Sequence, residues 1–301
     1  MIIIKRLFSR HFLAFLALAA LCAASHAASA APPQKILSLS PAATEILFDL
    51  GLGDRVVGVT DYCTWPPEAK SKQSVGDMMH VNMETVVSMD PDIVVVSSMN
   101  THIESQIKAL GYPAAVVGQD NFEEVLDSML RVGEACGVED TAKRRVGELI
   151  GAVEALTLKP GGKDGKKPPR VLVVVGRDID DTSFKKTYVA GPRSFYNDLL
   201  NRSAAVNAYP DDLLYANVSQ EGLLRMDPDL IIELVGEHGM TNVDTKSILA
   251  QWKKVKDLRA AQSGNVAVIR GDFAFRVGPR YPLVLEAFKK AIHDGVREIR
   301  E

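Results

Sequence analysis

The feature that most constrains this chain is a stretch that occurs twice. Residues 84–95 read Glu-Thr-Val-Val-Ser-Met-Asp-Pro-Asp-Ile-Val-Val, and residues 221–232 read Glu-Gly-Leu-Leu-Arg-Met-Asp-Pro-Asp-Leu-Ile-Ile. Five of the twelve positions are identical, and five more exchange one aliphatic residue for another. Met-Asp-Pro-Asp before an apolar run stops a helix, turns and starts a strand. Turn chemistry alone would explain Asp-Pro-Asp, but not the glutamate that stands seven residues before each proline. The offset of 137 residues therefore predicts two lobes of similar topology, because self-similarity at long period reports architecture.

The local pattern says what kind of lobe. Short apolar runs at Ile36–Leu39, Arg55–Thr60, Ile93–Val96 and Ala114–Val117 alternate with helical segments at 42–50, from Asn82 to before Pro91, and at 101–110. Ser40 is a good N-cap, Pro41 fits the first helical position, and Gly51 ends that helix. All-apolar strands alternating with helices predict an α/β lobe with a parallel sheet. A helix over Phe122–Cys136 is followed by a second from Glu139 to about Leu158, with Leu149, Val153 and Leu156 on one face. With no strand beside it, this helix reads as a bridge between lobes, the alternative being a packed helix of one larger domain. A breaker-rich loop at 161–169 follows. The alternation then resumes with strands at Val171–Val175, Leu230–Ile232 and Val266–Ile269, a helix over Arg193–Leu200 begun by Pro192, and a final helix over Pro282–Arg300. The expected fold is α/β: two lobes with mostly parallel sheets, joined by a single long helix, with a ligand cleft between them. Its divisions are 31–138, a linking helix at 139–159, and 160–301.

Residues 1–30 are set apart. Lys5, Arg6 and Arg10 precede an apolar stretch from Phe12 to Ala24, and Ala28-Ser29-Ala30 offers a cleavage site. This is the layout of a cleavable signal peptide, and the apolar run is short for a membrane anchor, which needs ~20 residues. Cys22 admits a lipoprotein reading, against which Leu21 stands where a small residue is expected. Export predicts a periplasmic protein in which Cys63 and Cys136 are permitted to pair. Removing residues 1–30 leaves 32 basic residues against 38 acidic, so a nucleic-acid partner is excluded. His80, His102, His238 and His293 form no metal-binding spacing, and there is no phosphate-binding glycine loop and no nucleophile elbow. Neither a metal nor a cofactor is expected. An enzyme would have to use Cys63, with His80 as the only histidine near it in sequence.

Four motifs, in order, carry a resemblance: Leu39-Ser40-Pro41-Ala42-Ala43-Thr44-Glu45, then Asp61-Tyr62-Cys63-Thr64-Trp65-Pro66-Pro67-Glu68-Ala69, then Asn82-x-Glu84, and late in the chain Gly278-Pro279-Arg280. With the signal peptide, they resemble the periplasmic substrate-binding proteins of ABC importers for iron complexes and cobalamin. The Tyr-x-x-Trp-Pro-Pro loop is most similar to the cobalamin-binding branch. The resemblance implies a non-catalytic, monomeric receptor that delivers cobalamin or a related corrinoid to a dimeric membrane permease. The alternative cargo is a ferric siderophore or heme.

It also implies residue roles. Glu84 and Glu221 would dock on the permease, though each also suits the positive end of its own helix. Tyr62 and Trp65 follow a strand end, where α/β sheets place ligands, and aromatic faces suit a broad flat ring. Tyr215 matches a cleft aromatic of the second lobe. Where the cobalamin pattern expects a tryptophan, the chain reads Gly76-Asp77-Met78-Met79-His80. There Met79 can pack on a ring face, and His80 can serve as an axial ligand or as a plain loop residue. Phe273, Phe275, Arg276 and Arg280 form a further patch, with the arginines suited either to ligand carboxylates or to internal acids.

Overall fold

The computed structural model describes residues 31–118, 120–158, 167–179, 184–236 and 243–300. The signal-peptide reading of residues 1–30 and residues 161–166 of the breaker-rich loop lie outside these. The first lobe runs β1 (Ile36–Ser38), α1 (Pro41–Asp49), β2 (Val56–Val59), β3 (Gln73–Ser74), α2 (Met83–Met89), β4 (Ile93–Ser97), α3 (Thr101–Ala109), β5 (Ala114–Val117) and α4 (Phe122–Ala135). Its five strands pair in the order β3-β2-β1-β4-β5, and every pair is parallel. All of β4 is buried, as a strand covered on both faces requires.

Helix α5 (Glu139–Leu156) follows, and then the second lobe: β6 (Arg170–Arg177), β7 (Thr187–Ala190), α6 (Phe195–Arg202), β8 (Val206–Asn207), β9 (Tyr215–Val218), α7 (Gln220–Met226), β10 (Leu230–Val235), α8 (Thr245–Trp252), α9 (Arg259–Gln262), β11 (Val266–Arg270), α10 (Tyr281–His293) and β12 (Glu298–Arg300). The sheet order is β12-β11-β10-β6-β7-β9, with β8 also on β6. Strand β7 runs antiparallel to both β6 and β9, and the other pairs are parallel.

The repeated stretch is a repeated structure. Each copy is a seven-residue helix capped by a side chain that accepts from the N–H three residues downstream: Asn82 takes the Thr85 N–H, and Ser219 takes the Gly222 N–H. Each helix ends on an aspartate in the left-handed region, Asp90 at φ 46° and Asp227 at φ 38°. The second aspartate of each motif ties down the strand that opens its lobe. Asp92 Oδ2 accepts from the N–H groups of Gln34 and Lys35 at 2.7 and 2.8 Å, and Asp229 Oδ2 accepts from that of Arg170 at 2.9 Å.

Helix α5 buries Ala142, Val146, Leu149 and Val153 and packs on α4 of the first lobe and α10 of the second. One hydrophobic core runs from β1 and α1 through α4 and α5 to α6, β6 and α10, so from Pro33 onward the chain is one compact unit. Arg145 of α5 also grips Asp49 of α1, with Nη2 and Nε 2.6 and 3.1 Å from the two carboxylate oxygens.

Several expectations change. The final helix stops at His293, and Gly295 at φ 69° turns the chain into β12. Helix α6 begins at Phe195, because Gly191–Ser194 forms a turn closed by the Ser194 N–H on the Gly191 carbonyl at 3.0 Å. Strands β7 and β9 were not foreseen. Cys63 and Cys136 are buried free thiols. Burial pushes the Cys136 thiol up to about 11.

Candidate ligand-binding cleft

The carboxyl edge of the first sheet carries two loops. One follows β2 and runs from Thr60 to Trp65; the other follows β3 and runs from Gly76 to Val81. The Asp61 N–H donates to the Gly76 carbonyl at 2.9 Å, joining them. Asn100, just past β4, donates from Nδ2 to the Met78 carbonyl at 2.9 Å and pins the second loop to the same edge. Opposite stands the segment of the second lobe between β11 and α10.

Two arginines of that segment cross to the first lobe. Arg280 meets Glu45 of α1 with Nη2 2.6 Å from Oε1 and Nε 3.0 Å from Oε2. Only 2% of the Glu45 side chain is exposed. The Arg280 guanidinium also lies 4.7 Å from the Trp65 ring centre, a cation–π stack. Arg276 donates to the Tyr62 carbonyl at 3.0 Å, to Thr64 Oγ1 at 3.1 Å and to Asp272 at 3.1 Å. The motifs Thr44-Glu45 and Gly278-Pro279-Arg280 thus meet as one joint. A Cβ on Gly278 would lie 3.3 Å from Glu45 Oε2, which is why the close approach suits glycine.

The predicted residues separate into groups. Tyr62, Trp65 and Tyr215 are large aromatics 47%, 39% and 44% exposed. Tyr215 opens β9, and burial first, then the Asp120 carboxylate, pushes its hydroxyl pKa up. Met79 is 71% exposed on the Gly76–Val81 loop beside His80. Phe273 is corrected: at 1% exposure it belongs to the core, and Phe275 at 37% is the ring that shows. Arg276 and Arg280 are both paired with groups of the protein, Arg276 with Tyr62, Thr64 and Asp272 and Arg280 with Glu45. Glu84 and Glu221 are exposed in the first turns of α2 and α7.

Tyr188, Met99, Leu213 and Leu214 were missed, and all are exposed. On the β7–β9 ribbon Ala190 faces Tyr215, so Tyr188 lies diagonal to Tyr215 on the same face. An inter-lobe cavity of about 400 Å³ is lined by Glu45, Phe48, Asp49, Trp65, Pro66, Glu68, Pro279 and Arg280. A larger hollow of about 470 Å³ between α4 and α5 holds none of the predicted residues.

Burial raises the Cys63 pKa, and this outweighs its hydrogen bonds to Thr44 and Thr60. Its neighbour Thr60 Oγ1 is 3.2 Å away, while His80 is bonded to Asp77 instead. A buried protonated thiol without a base is a poor nucleophile. Among the described residues no group of three or more His, Cys, Asp and Glu is placed to hold a metal ion; His238 lies outside them.

Comparison with known proteins agrees with this geometry. The model of the periplasmic binding protein family matches residues 36–273. The chain belongs to that family. This periplasmic binding protein is 32% identical over 268 residues to the ABC transporter substrate-binding lipoprotein YvrC of Bacillus subtilis, covering 87% of this chain and 80% of the relative. It is 24% identical over 271 residues to a cobalamin-binding protein of Halobacterium salinarum, covering 87% and 70%. Among solved structures, the periplasmic heme-binding protein BhuT in complex with two hemes superposes with a TM-score of 0.73 at 24% identity, covering 86% of this chain and 98% of that one. The family consists of substrate-binding proteins of transporters rather than enzymes.

Proposed function

We propose that this chain is the periplasmic receptor of an ABC importer that carries cobalamin or a related corrinoid in the cleft between its lobes. The observation that carries the reading is the set of half-exposed aromatics, Tyr62 and Trp65 on one lobe and Tyr215 on the other. A soluble protein gains by burying such rings, and large apolar groups left open in facing surfaces mark a ligand site. A corrinoid is broad, flat and edged with neutral amides, so it needs ring faces more than cations. The cleft arginines Arg276 and Arg280 are held by Tyr62, Thr64, Asp272 and Glu45, which leaves less for the carboxylates of heme or a siderophore. The name of the Halobacterium salinarum relative points the same way.

The residues that would hold the cargo are Tyr62, Trp65, Met79, His80, Tyr215 and Phe275, joined by Tyr188. Glu84 and Glu221 would contact a permease dimer, one from each lobe of a monomeric receptor. Export by a cleavable signal peptide at residues 1–30 would place the protein in the periplasm, with the lobes divided at 31–138, 139–159 and 160–301. The visible absorption of protein purified from its native host tests the cargo, since corrinoid, heme and ferric siderophore differ in colour. A corrinoid spectrum is expected; a Soret band or a ferric charge-transfer band would replace this reading with heme or siderophore.

A further inference from the structure

The second lobe has a core of its own. Val171 and Val173 of β6 belong to the core shared with α5, whereas Leu172 and Val174 lie in a separate cluster with Val189, Phe184 and Trp252. Alternate residues of a strand point to opposite faces, so this cluster covers the other face of the sheet. A register shift between Val174 and Gly176 places Arg177 directly across from Thr187 of β7, and directly opposed residues share a face. An arginine thereby enters an apolar core. Its side chain is 1% exposed, and its Nε lies 2.9 Å from Oε1 of Glu233 on β10, which is 2% exposed. The other oxygen of Glu233 accepts from Trp252 Nε1. The guanidinium lies 4.8 Å from the Phe184 ring centre and 5.7 Å from that of Trp252, so aromatic rings cover it.

This pairing leaves donors unspent. A guanidinium carries five N–H groups, and here the Nε group alone is used. Arg177 Nη1 and Nη2 are out of contact with solvent and have no hydrogen-bond partner among the described residues. Thr187 Oγ1 is in the same condition, and so is Gln251 Oε1 of α8, whose amide nitrogen donates to the Ile179 carbonyl at 2.9 Å. The balance is lopsided: two NH2 groups and a hydroxyl have hydrogen bonds to give, and one amide oxygen has one to receive. A water would bring two hydrogens of its own to place, whereas an anion only accepts. Buried donors on a charged group are costly when left without an acceptor. Glu233 does not supply it, since both its oxygens are engaged. Burial raises the Glu233 pKa more than Arg177 and Trp252 lower it, so Arg177, which does not lose its proton, is the firmer charge of the two. Neither hollow described above is lined by any of these residues, so the occupant has to be small.

We infer that Arg177 Nη1 and Nη2, together with the Thr187 hydroxyl, form a buried halide site in the second lobe that takes chloride. Bound there, the ion ties the end of β6 to the start of β7. Tyr188 follows Thr187 on that strand, so the ion also steadies one of the residues proposed to hold the cargo. The site does not depend on what the cleft carries.

Chloride and gluconate at equal ionic strength separate binding from screening. The thermal unfolding midpoint should rise with chloride, as binding to the native state requires, and stay level in gluconate. Thr187→Val keeps the shape of the side chain and removes one donor, so the chloride concentration giving half the effect should rise roughly tenfold. Arg177→Met with Glu233→Gln removes both charges together, which avoids stranding either in the core, and should abolish the chloride effect. A bromide soak of crystals of the parent protein reads the site without any variant: an anomalous peak is expected within hydrogen-bonding reach of Arg177 Nη1 and Nη2. Equal midpoints in chloride and gluconate, a chloride effect unchanged in Thr187→Val, or crystals that show only water beside Arg177 overturn the site.

Discussion

Arg280 and Glu45, 235 positions apart in sequence, form a two-point ion pair between the lobes, with oxygens 2.6 and 3.0 Å from the guanidinium nitrogens. The carboxylate is 2% exposed and the same guanidinium stacks on Trp65, so one joint fixes both the lobe contact and a ring of the site. Removing one partner strands a buried charge. Glu45→Ala or Arg280→Ala should cost about 3–5 kcal/mol, read as a lower midpoint in urea. The double variant should cost less than the sum of the singles. Additive losses would show that the two residues do not act as a pair.

Tyr62, Tyr215 and Tyr188 are exposed, so replacing them should spare stability and reduce binding. Each ring face offers ~0.5–1.5 kcal/mol beyond its area. Tyr62→Ala with Tyr215→Ala should weaken the corrinoid roughly tenfold or more, and Tyr188→Ala should weaken it by a smaller factor. An unchanged dissociation constant in the double variant, measured by calorimetry, would take these residues out of the site.

Much of this arrangement is legible in the sequence, and the illegible part has physical reasons. The duplication, the caps at Ser40 and Asn82, and the all-apolar run at 93–96 each encode local structure directly. The antiparallel strands β7 and β9 escape because Thr187–Ala190 and Tyr215–Val218 are four residues each, too short to show a period, and Tyr188 escapes with them. Phe273 and Phe275 are indistinguishable as sequence. Only the short helical turn over Asp272–Phe275 sends one ring into the core and leaves the other outside. The Glu45–Arg280 joint joins two motifs whose proximity no local pattern states.

Glu84 and Glu221 occupy the same place in the two copies of the repeated helix, and both are exposed. Reversing both to lysine adds repulsion to the lost attraction. Uptake reconstituted with the permease should fall, and raised salt should lower uptake by the parent protein through screening. Ligand affinity should not change. Loss of the ligand with docking retained would place the glutamates in the cleft.

Cys63 should be slow to react with thiol reagents in the native protein and fast once the protein is unfolded, because burial holds its thiol protonated. Rapid native labelling would reopen the reading of Cys63 as a nucleophile.

The rigidity of the joint also bears on transport. Helix α5 packs on both lobes and contains no proline, with Gly147 and Gly151 giving it only slight give, and a sharp bend in a helix needs a proline, small-residue pair or bulge. Ligand should therefore change the radius of gyration only slightly in solution scattering. A large compaction would mean that the two arginine crossings form only in the closed state.

The account stands or falls on the cargo. A calorimetric titration of the purified protein with cyanocobalamin, hemin and a ferric hydroxamate siderophore, run under one buffer condition, tests it most directly. Cyanocobalamin should bind one to one and more tightly than the other two. No heat of binding with cyanocobalamin at tens of micromolar (dissociation constants in that range correspond to about 6–7 kcal/mol), together with clear saturation by hemin, would contradict it.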